Sequence, residues 1–270
     1  MKNNLKKLYA IQSILKKNSY FDTSRISKEI LEYCEENSIS PTLVLERIGN
    51  DEPWEYIKGK SEFHGLEFQV NKNTLIPRVE TEQLADIALN LLRKNNDFEY
   101  VLDIGTGSGC IIIFLAKNLC KKNNIKFIAT DIDSKTLRVA KKNSVLHKVN
   151  EKVSFLRTNL IKNVEIDRAS FIVANLPYIP TNIYKGLEKS VVNFEPKKAL
   201  IAGKDGLKYY KELLEQIKKK NLEKITLLIE IEPSTLEDLE VFVKRYNKGS
   251  VLKVFKDLKG KDRFVLIQLP

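Results

Sequence analysis

The sequence has little histidine and cysteine, and this scarcity narrows the kinds of site that it can form. With only His64 and His147, a histidine-based metal site is not expected, because such sites take several imidazole or thiolate ligands. The cysteines, Cys34, Cys110 and Cys120, are odd in number and lack metal-ligand spacing. We therefore expect reduced thiols in a cytoplasmic protein and no bound metal.

A long apolar run is also missing. No stretch approaches the roughly 20 apolar residues of a membrane span, and the basic residues 1–7 have no apolar run behind them, so neither a membrane protein nor a signal peptide is expected. The net charge of +11 would suit an acidic partner such as an RNA-bearing complex. Because the excess is mostly scattered lysine, a compositional origin is the preferred explanation, and we expect no direct nucleic-acid substrate.

In the stretch 171–180, an apolar run is followed by polar side chains. The run is typical of a fully buried strand, and Pro177, which has no N–H for a ladder, stops it. Asn175 and Tyr178 then follow the carboxyl end of the strand, where open α/β sheets bind ligands. The side-chain oxygen of Asn175 and the carbonyl of Leu176 are two acceptors that suit a planar amide or amino group. An Asn-Pro turn without chemistry would give the same pattern.

A glycine-rich turn follows the apolar strand 101–104 and precedes an apolar helix at 111–119. Glycines at alternate positions let the backbone approach a ligand closely. A nicotinamide dinucleotide turn would have its third glycine one position later, at Cys110, so the spacing argues against that cofactor. The turn consists of Gly105, Thr106, Gly107, Ser108 and Gly109.

Two further strands end in groups that could contact the same ligand. The strand 126–131 ends at Asp131, whose carboxylate could accept hydrogen bonds from a ribose diol. Asp133 is expected instead to cap the following helix. The strand 153–156 is followed by Asn159, which could bond the edge of an adenine ring.

These elements predict an α/β protein with a Rossmann-like, seven-stranded, doubly wound sheet whose last strand is antiparallel. Residues 1–58 carry apolar residues at helical spacing and predict a small helical domain. Residues 59–75 predict a linking β-hairpin that turns near Gly65. The main domain is expected to span residues 76–270.

Together the motifs resemble a class I S-adenosylmethionine-dependent methyltransferase that acts on an amide or exocyclic nitrogen. Within that class, the chain is most similar to the peptide chain release factor glutamine methyltransferases of HemK type, over residues 50–270. The similarity rests on Asp103 to Gly109, Asp131, Asn175 to Tyr178, Thr74 to Arg78, Thr81, Glu82, Phe194 to Pro196 and Asp262 to Val265.

The resemblance implies S-adenosylmethionine as the cofactor and class I release factors as partners. The substrate group would be the glutamine amide of the Gly-Gly-Gln motif, with residues 1–58 as the docking domain of a monomeric enzyme. The cofactor-binding residues would be Gly105, Thr106, Gly107, Ser108, Gly109, Asp131, Asn159 and Asn175. The catalytic residues would be Asn175, Leu176, Pro177 and Tyr178.

This sequence departs from the family pattern at several positions. Leu176 stands at the first proline of the tetrad, and Val79 replaces another proline. Because Leu176 keeps its carbonyl and no essential donor is expected there, Leu176→Pro should be tolerated. Asn159 stands where aspartate is usual and Leu160 where an aromatic is usual, and which of the two contacts adenine stays open.

No strong base lies near Asn175 in the sequence, so catalysis is expected to rest on positioning and electrostatics. Tyr178 would pack on the amide plane. Two alternatives remain open. One is a nucleic-acid adenine amino-methyltransferase, for which no insert suited to base flipping is found. The other is a non-catalytic RNA- or ribosome-binding protein on the same fold.

Overall fold

The structure is a computed structural model of most of the chain. Two of the three expected thiols, Cys34 and Cys110, are buried and free, whereas Cys120 lies outside the described residues. None of the described helices is both long and apolar enough to cross a membrane. The described residues are 2–18, 20, 22–119, 125–166 and 170–270.

The N-terminal residues form helices whose starting points follow from local sequence. Asp22 caps the second helix by accepting a hydrogen bond from the Arg25 N–H (3.2 Å). Ser40 caps the third helix, and Pro41 occupies its first turn. The apolar faces of these helices meet in one core around the buried Trp54. The helices are α1 (Lys2–Lys17), α2 (Thr23–Glu36), α3 (Pro41–Gly49) and α4 (Trp54–Lys58).

A β-hairpin follows these helices and turns at Gly65, as the sequence predicted. Its strands are β1 (Lys60–Phe63) and β2 (Leu66–Gln69). The buried Asn143 side chain accepts a hydrogen bond from the Gln69 N–H (2.8 Å) and donates to the Gln69 carbonyl (3.0 Å). The same amide donates to the Ser108 carbonyl (2.8 Å). One side chain therefore ties the hairpin to the glycine-rich turn. The domain limits at 58 and 75 remain predictions.

Seven of the described strands form the central sheet. They are β3 (Tyr100–Ile104), β4 (Lys126–Asp131), β5 (Val153–Arg157), β6 (Ser170–Ala174), β7 (Ile225–Glu230), β8 (Val251–Lys256) and β9 (Asp262–Gln268). Their order is β5-β4-β3-β6-β7-β9-β8. Pairs from β5 through β7 are parallel, and β9 is antiparallel to both of its neighbours. The predicted seven-stranded sheet with an antiparallel last strand is confirmed.

Helices cover both faces of this sheet. Successive residues of β3, Val101 and Leu102, belong to different apolar cores, as the alternation of side chains along a strand requires. Short 3₁₀ turns lie at Lys197–Ala199 and Pro233–Thr235. The remaining helices are α5 (Val79–Lys94), α6 (Cys110–Asn118), α7 (Ser134–Leu146), α8 (Thr181–Tyr184), α9 (Lys189–Phe194), α10 (Lys208–Lys219) and α11 (Leu236–Tyr246).

The strand order determines where a ligand can bind. The chain runs from β3 outward through β4 to β5, and then returns to the other side of β3 as β6. Such a reversal opens a crevice at the carboxyl ends of the two central strands. The glycine-rich turn follows β3 and Asn175 follows β6, so the two decisive stretches of the sequence meet at this crevice.

Candidate functional site

The glycine-rich turn has the backbone conformation that its glycines permit. Gly105, Gly107 and Gly109 have φ values of 74°, 57° and 83°, in the left-handed region where a side chain is strained. A Cβ atom on Gly105 would lie 2.8 Å from Cδ2 of Leu176. A larger residue at position 105 would therefore have to displace the Leu176 side chain in the loop after β6.

Asp131 lies at the carboxyl end of β4 and faces the crevice. Its Oδ2 accepts a hydrogen bond from the Gly107 N–H (3.3 Å), and its Oδ1 accepts one from the Asp133 N–H (2.9 Å). Burial raises the pKa of Asp131 to about 6, and the nearby Lys198 opposes this shift. Asp133 accepts from the Lys135 N–H (2.7 Å) and caps α7, as expected.

The loop after β5 reaches the same crevice in a strained form. Leu160 is buried and has a φ of 52°, which is uncommon for a bulky residue. The Asn159 Nδ2 donates to the Glu212 carboxylate on α10 (2.5 Å). Helix α10 thus stabilises a loop in which the backbone of Leu160 has an uncommon conformation.

Asn175 is oriented by a chain of hydrogen bonds that begins at a buried carboxylate. The Asn175 Nδ2 donates to the Thr81 Oγ1 (2.9 Å), and that hydroxyl donates to the Glu230 Oε2 (2.9 Å). Glu230 is 1% exposed, and burial raises its pKa. Because the amide nitrogen is taken by Thr81, the Asn175 oxygen is turned away from Thr81 as a free acceptor.

Tyr178 is held by the same carboxylate, since its hydroxyl donates to the Glu230 Oε1 (2.9 Å). Burial and the neighbouring Glu230 raise the pKa of Tyr178 well above its ordinary value. The residue is half-buried and does not line the crevice. The structure therefore shows Tyr178 as a support of the loop, while its predicted stacking on a substrate amide remains a prediction.

The backbone of the loop is anchored as well. The Leu176 N–H donates to the Tyr210 hydroxyl (3.2 Å), and that hydroxyl donates to the carbonyl of Glu230. The Leu176 N–H thus has a partner that the sequence did not reveal, because Tyr210 on α10 is distant in the sequence. That this bond is not essential stays a prediction.

Leu176→Pro is accordingly expected to lower the free energy of unfolding by about 1 kcal/mol, the usual net value of one hydrogen bond. Turnover should change little, because the carbonyl is retained. Urea denaturation and initial rates measure the two effects. In a Tyr210→Phe background the same substitution should cost less, since its partner is already gone; an equal cost in both backgrounds would contradict this account.

A cavity of about 340 Å³ lies between these groups. Gly109, at the start of α6, is outside its wall and instead lies close to Ala140 of α7, where a Cβ atom on Gly109 would be 3.2 Å from that of Ala140. The site residues predicted from the sequence that line the cavity are Gly105, Thr106, Gly107, Ser108, Asp131, Asn159, Asn175, Leu176 and Pro177.

Several wall and support residues were given no role by the sequence. Arg78 and Thr81 line the cavity, and Arg78 forms an ion pair with the buried Glu195. Lys198 also lines it and pairs with Asp133. Glu230 ends the buried strand β7 with a carboxylate, the same pattern that singled out Asp131, and that pattern could have identified it.

The cavity fits an adenosyl cofactor by the chemistry of its wall. Asp131 offers a carboxylate for two neighbouring hydroxyl groups. Ile132 and Leu160 supply apolar surface next to the polar Asn159, a combination that suits a purine ring. No cluster of metal-ligating side chains occurs in the described parts of the chain.

Comparison with known proteins supports an enzymatic role. The family model for ribosomal protein L11 methyltransferase (PrmA) matches residues 80–199. The chain is 36% identical over 229 residues to the release factor glutamine methyltransferase of Flavobacterium psychrophilum, which spans 83% of this chain and 78% of that protein. It is 34% identical over 259 residues to the release factor glutamine methyltransferase of Fusobacterium nucleatum, across 96% of this chain and 71% of that protein.

A solved structure shares the fold at lower identity. The hMettl16 catalytic domain in complex with the MAT2A 3'UTR hairpin 6 superposes with a TM-score of 0.59 and 19% sequence identity. The match covers 76% of both chains. It shows that the sheet and its surrounding helices form a methyltransferase fold.

Proposed function

This chain belongs to the release factor glutamine methyltransferase family, and on that premise we propose that it methylates the side-chain amide of the glutamine in the Gly-Gly-Gln motif of class I release factors. The methyl donor is S-adenosylmethionine. The family resemblance carried by the sequence motifs is confirmed by these relatives. We also propose that the enzyme acts as a monomer in the cytoplasm, where release factors work.

The orientation of Asn175 carries the proposal. Its amide nitrogen is occupied by Thr81 (2.9 Å), so its oxygen is left to accept a hydrogen bond from a ligand in the cavity. The carbonyl of the neighbouring Leu176 supplies a second acceptor. A primary amide is planar and has two N–H donors, which matches two adjacent acceptors.

The mechanism follows from the weakness of the nucleophile. An amide nitrogen attacks poorly because its lone pair is delocalised into the carbonyl. S-Adenosylmethionine supplies an electrophilic methyl group on a positively charged sulfur. Asn175 and the Leu176 carbonyl hold both amide hydrogens and fix the direction of the nitrogen lone pair. Their partial negative charge would stabilise the positive charge that develops on nitrogen as its bond to the methyl group forms and the sulfur–methyl bond breaks. The nitrogen would then lose one proton to water, leaving the methylated amide and the demethylated cofactor.

The cofactor-binding roles follow from the wall of the cavity. The turn from Gly105 to Gly109 gives the backbone close access to the cofactor, and Asp131 accepts hydrogen bonds from the ribose hydroxyls. Asn159 and Leu160 contact the adenine. The Asp133–Lys198 ion pair connects the start of α7 to the 3₁₀ turn and so encloses this part of the cavity.

Mass spectrometry of a bacterial class I release factor tests the function directly. The release factor is incubated with the purified protein and S-adenosylmethionine, and the peptide that contains Gly-Gly-Gln is sequenced. The glutamine should gain one methyl group, and a release factor with asparagine at that position should gain none. An unmodified glutamine together with methylated adenine in added RNA would replace this function by the adenine alternative.

We further propose that residues 1–58 dock the body of the release factor. A short glutamine loop offers little contact area, so a second contact elsewhere raises its effective concentration at the site. The helical core of these residues is separate from the cores of the sheet, and Tyr9 and Leu43 expose apolar surface on it.

Deleting residues 1–58 should reduce methylation of a whole release factor by about tenfold, equivalent to about 1.4 kcal/mol of docking energy. Methylation of an isolated loop peptide should be unchanged, because the cavity remains. The hairpin keeps its hydrogen bonds to Asn143, and thermal unfolding checks that the shortened chain is folded. Equal losses on both substrates would rule out docking.

A further inference from the structure

The wall of the cavity near the end of β5 is oriented by groups on α10. The Asn159 Nδ2 and the Gln216 Nε2 both donate to the Glu212 Oε1, at 2.5 Å and 3.3 Å. The Gln216 Oε1 accepts from the Ile161 N–H (3.0 Å). Helix α10 thus contacts the loop on both sides of the strained Leu160.

The direction of each hydrogen bond in this cluster is fixed by chemistry. A backbone N–H only donates, so the Gln216 oxygen must face Ile161 and its nitrogen must face Glu212. An ionised carboxylate only accepts, so the Asn159 nitrogen must also face Glu212. The amide of Asn159 therefore cannot flip, and its oxygen is the atom left for the cavity that the residue lines.

This arrangement concerns a position at which the sequence differs from the family pattern. Asn159 stands where the family that it resembles has aspartate, and an unconstrained asparagine could present either its oxygen or its nitrogen. With its nitrogen held by Glu212, Asn159 directs its oxygen to the cavity as an acceptor, as an aspartate would. A 6-aminopurine has an exocyclic N–H donor at its edge, whereas a 6-oxopurine has an acceptor there.

We propose that Glu212 is a positioning residue that makes the cofactor site selective for adenine over 6-oxopurine bases, through the orientation that it imposes on the Asn159 amide. The proposal rests on the function proposed above, which places the cofactor in this cavity. Glu212 acts through Asn159 and need not touch the cofactor.

Calorimetry with two product analogues tests the proposal. These are S-adenosylhomocysteine and S-inosylhomocysteine, which differ at position 6 of the purine. The unchanged protein should bind the adenosyl compound about tenfold more tightly, the value of roughly one satisfied hydrogen bond against an unpaired one. Equal affinity for both compounds would overturn the proposal.

Glu212→Lys supplies the decisive variant. A lysine ammonium only donates, so it draws the Asn159 oxygen towards itself and leaves the nitrogen for the cavity. The preference should then reverse, in favour of the inosyl compound. Adding Asn159→Asp to this variant should restore the adenosyl preference, because a carboxylate can accept from the introduced ammonium and still offer an oxygen to the cavity.

Matched controls distinguish a change in the hydrogen-bonding character of residue 212 from a change in the charge of α10 and from a loss of folding. Glu215→Lys makes the same charge change on the exposed face of α10 and should leave the preference at its original value. If Glu212→Lys does not fold, Glu212→Gln carries the test, since glutamine can present either end and should reduce the preference. An unchanged preference in the folded Glu212 variants overturns the proposal. Failure of the unchanged protein to bind either compound overturns the cofactor assignment itself, and the proposal with it.

Discussion

Asn175→Ala should lower turnover by about a hundredfold to a thousandfold, the loss seen when one oriented group that stabilises developing charge is removed. The substitution deletes the acceptor that we propose for one amide hydrogen of the substrate, and it leaves Asp131 and the glycine-rich turn in place. The affinity for S-adenosylhomocysteine should therefore stay within about twofold. Steady-state rates on a release factor and calorimetry with the product measure the two quantities separately.

Thr81 provides the matched test of how Asn175 is oriented. Thr81→Val keeps the shape of the side chain but removes both hydrogen bonds of its hydroxyl, to Asn175 and to Glu230. Turnover should fall by about tenfold, since the Asn175 amide becomes free to rotate. Thr81→Ser retains the hydroxyl and should restore most of the rate. A near-normal turnover of Asn175→Ala would show that Asn175 has no catalytic role.

Asp131→Ala should weaken binding of S-adenosylmethionine by about 1.5–3 kcal/mol, the range for hydrogen bonds to a charged group. This corresponds to a loss of about 10-fold to 150-fold in affinity. Asp238→Ala is the control, because it removes an exposed carboxylate from the first turn of α11 that does not line the cavity. An unaltered affinity in Asp131→Ala would sink the ribose assignment.

The pH dependence of binding should follow the same carboxylate. The pKa of Asp131 is raised from 3.8 to about 6 by burial, and only the ionised form presents both carboxyl oxygens purely as acceptors. Below pH 6, affinity should fall by up to about tenfold per pH unit as protons compete with the cofactor, and Asp131→Asn should remove this slope.

The stability of the cofactor-free protein should change in the opposite direction. A carboxyl group with a raised pKa in the folded state binds its proton more tightly there than in the unfolded chain. Its contribution to stability is therefore fully present below pH 3.8 and is lost as the pH rises through about 6. The same acidification that weakens cofactor binding thus favours folding through Asp131.

Local sequence was enough to predict the sheet and the residues at its edge. Apolar runs ending in Asp131 and Asn175 predict buried strands with polar groups at their carboxyl ends, and parallel pairing then brings those ends together. Capping by Asp133 was also predictable, because a capping side chain bonds to a backbone N–H only two or three residues further along the chain.

Contacts between distant segments could not be predicted in the same way. The Thr81–Glu230 bond depends on α5 lying against the end of β7, which the sequence does not reveal without the strand order. The anchoring of Leu176 on Tyr210 likewise requires knowledge of which face α10 covers. The lining residues that follow a strand can be recognised by that position, whereas the supporting side chains and lining residues such as Thr81 and Lys198 come from tertiary neighbours.

The hydrogen bonds of Asn143 have a mechanical consequence. This fully buried side-chain amide forms hydrogen bonds with the backbone of Gln69 in the hairpin and with the carbonyl of Ser108 in the glycine-rich turn. We expect these three hydrogen bonds to hold the hairpin in place beside the glycine-rich turn, and so beside the cavity. For a release factor that docks on residues 1–58, as proposed above, this anchoring should favour substrates whose glutamine lies at a matching distance from the docking surface.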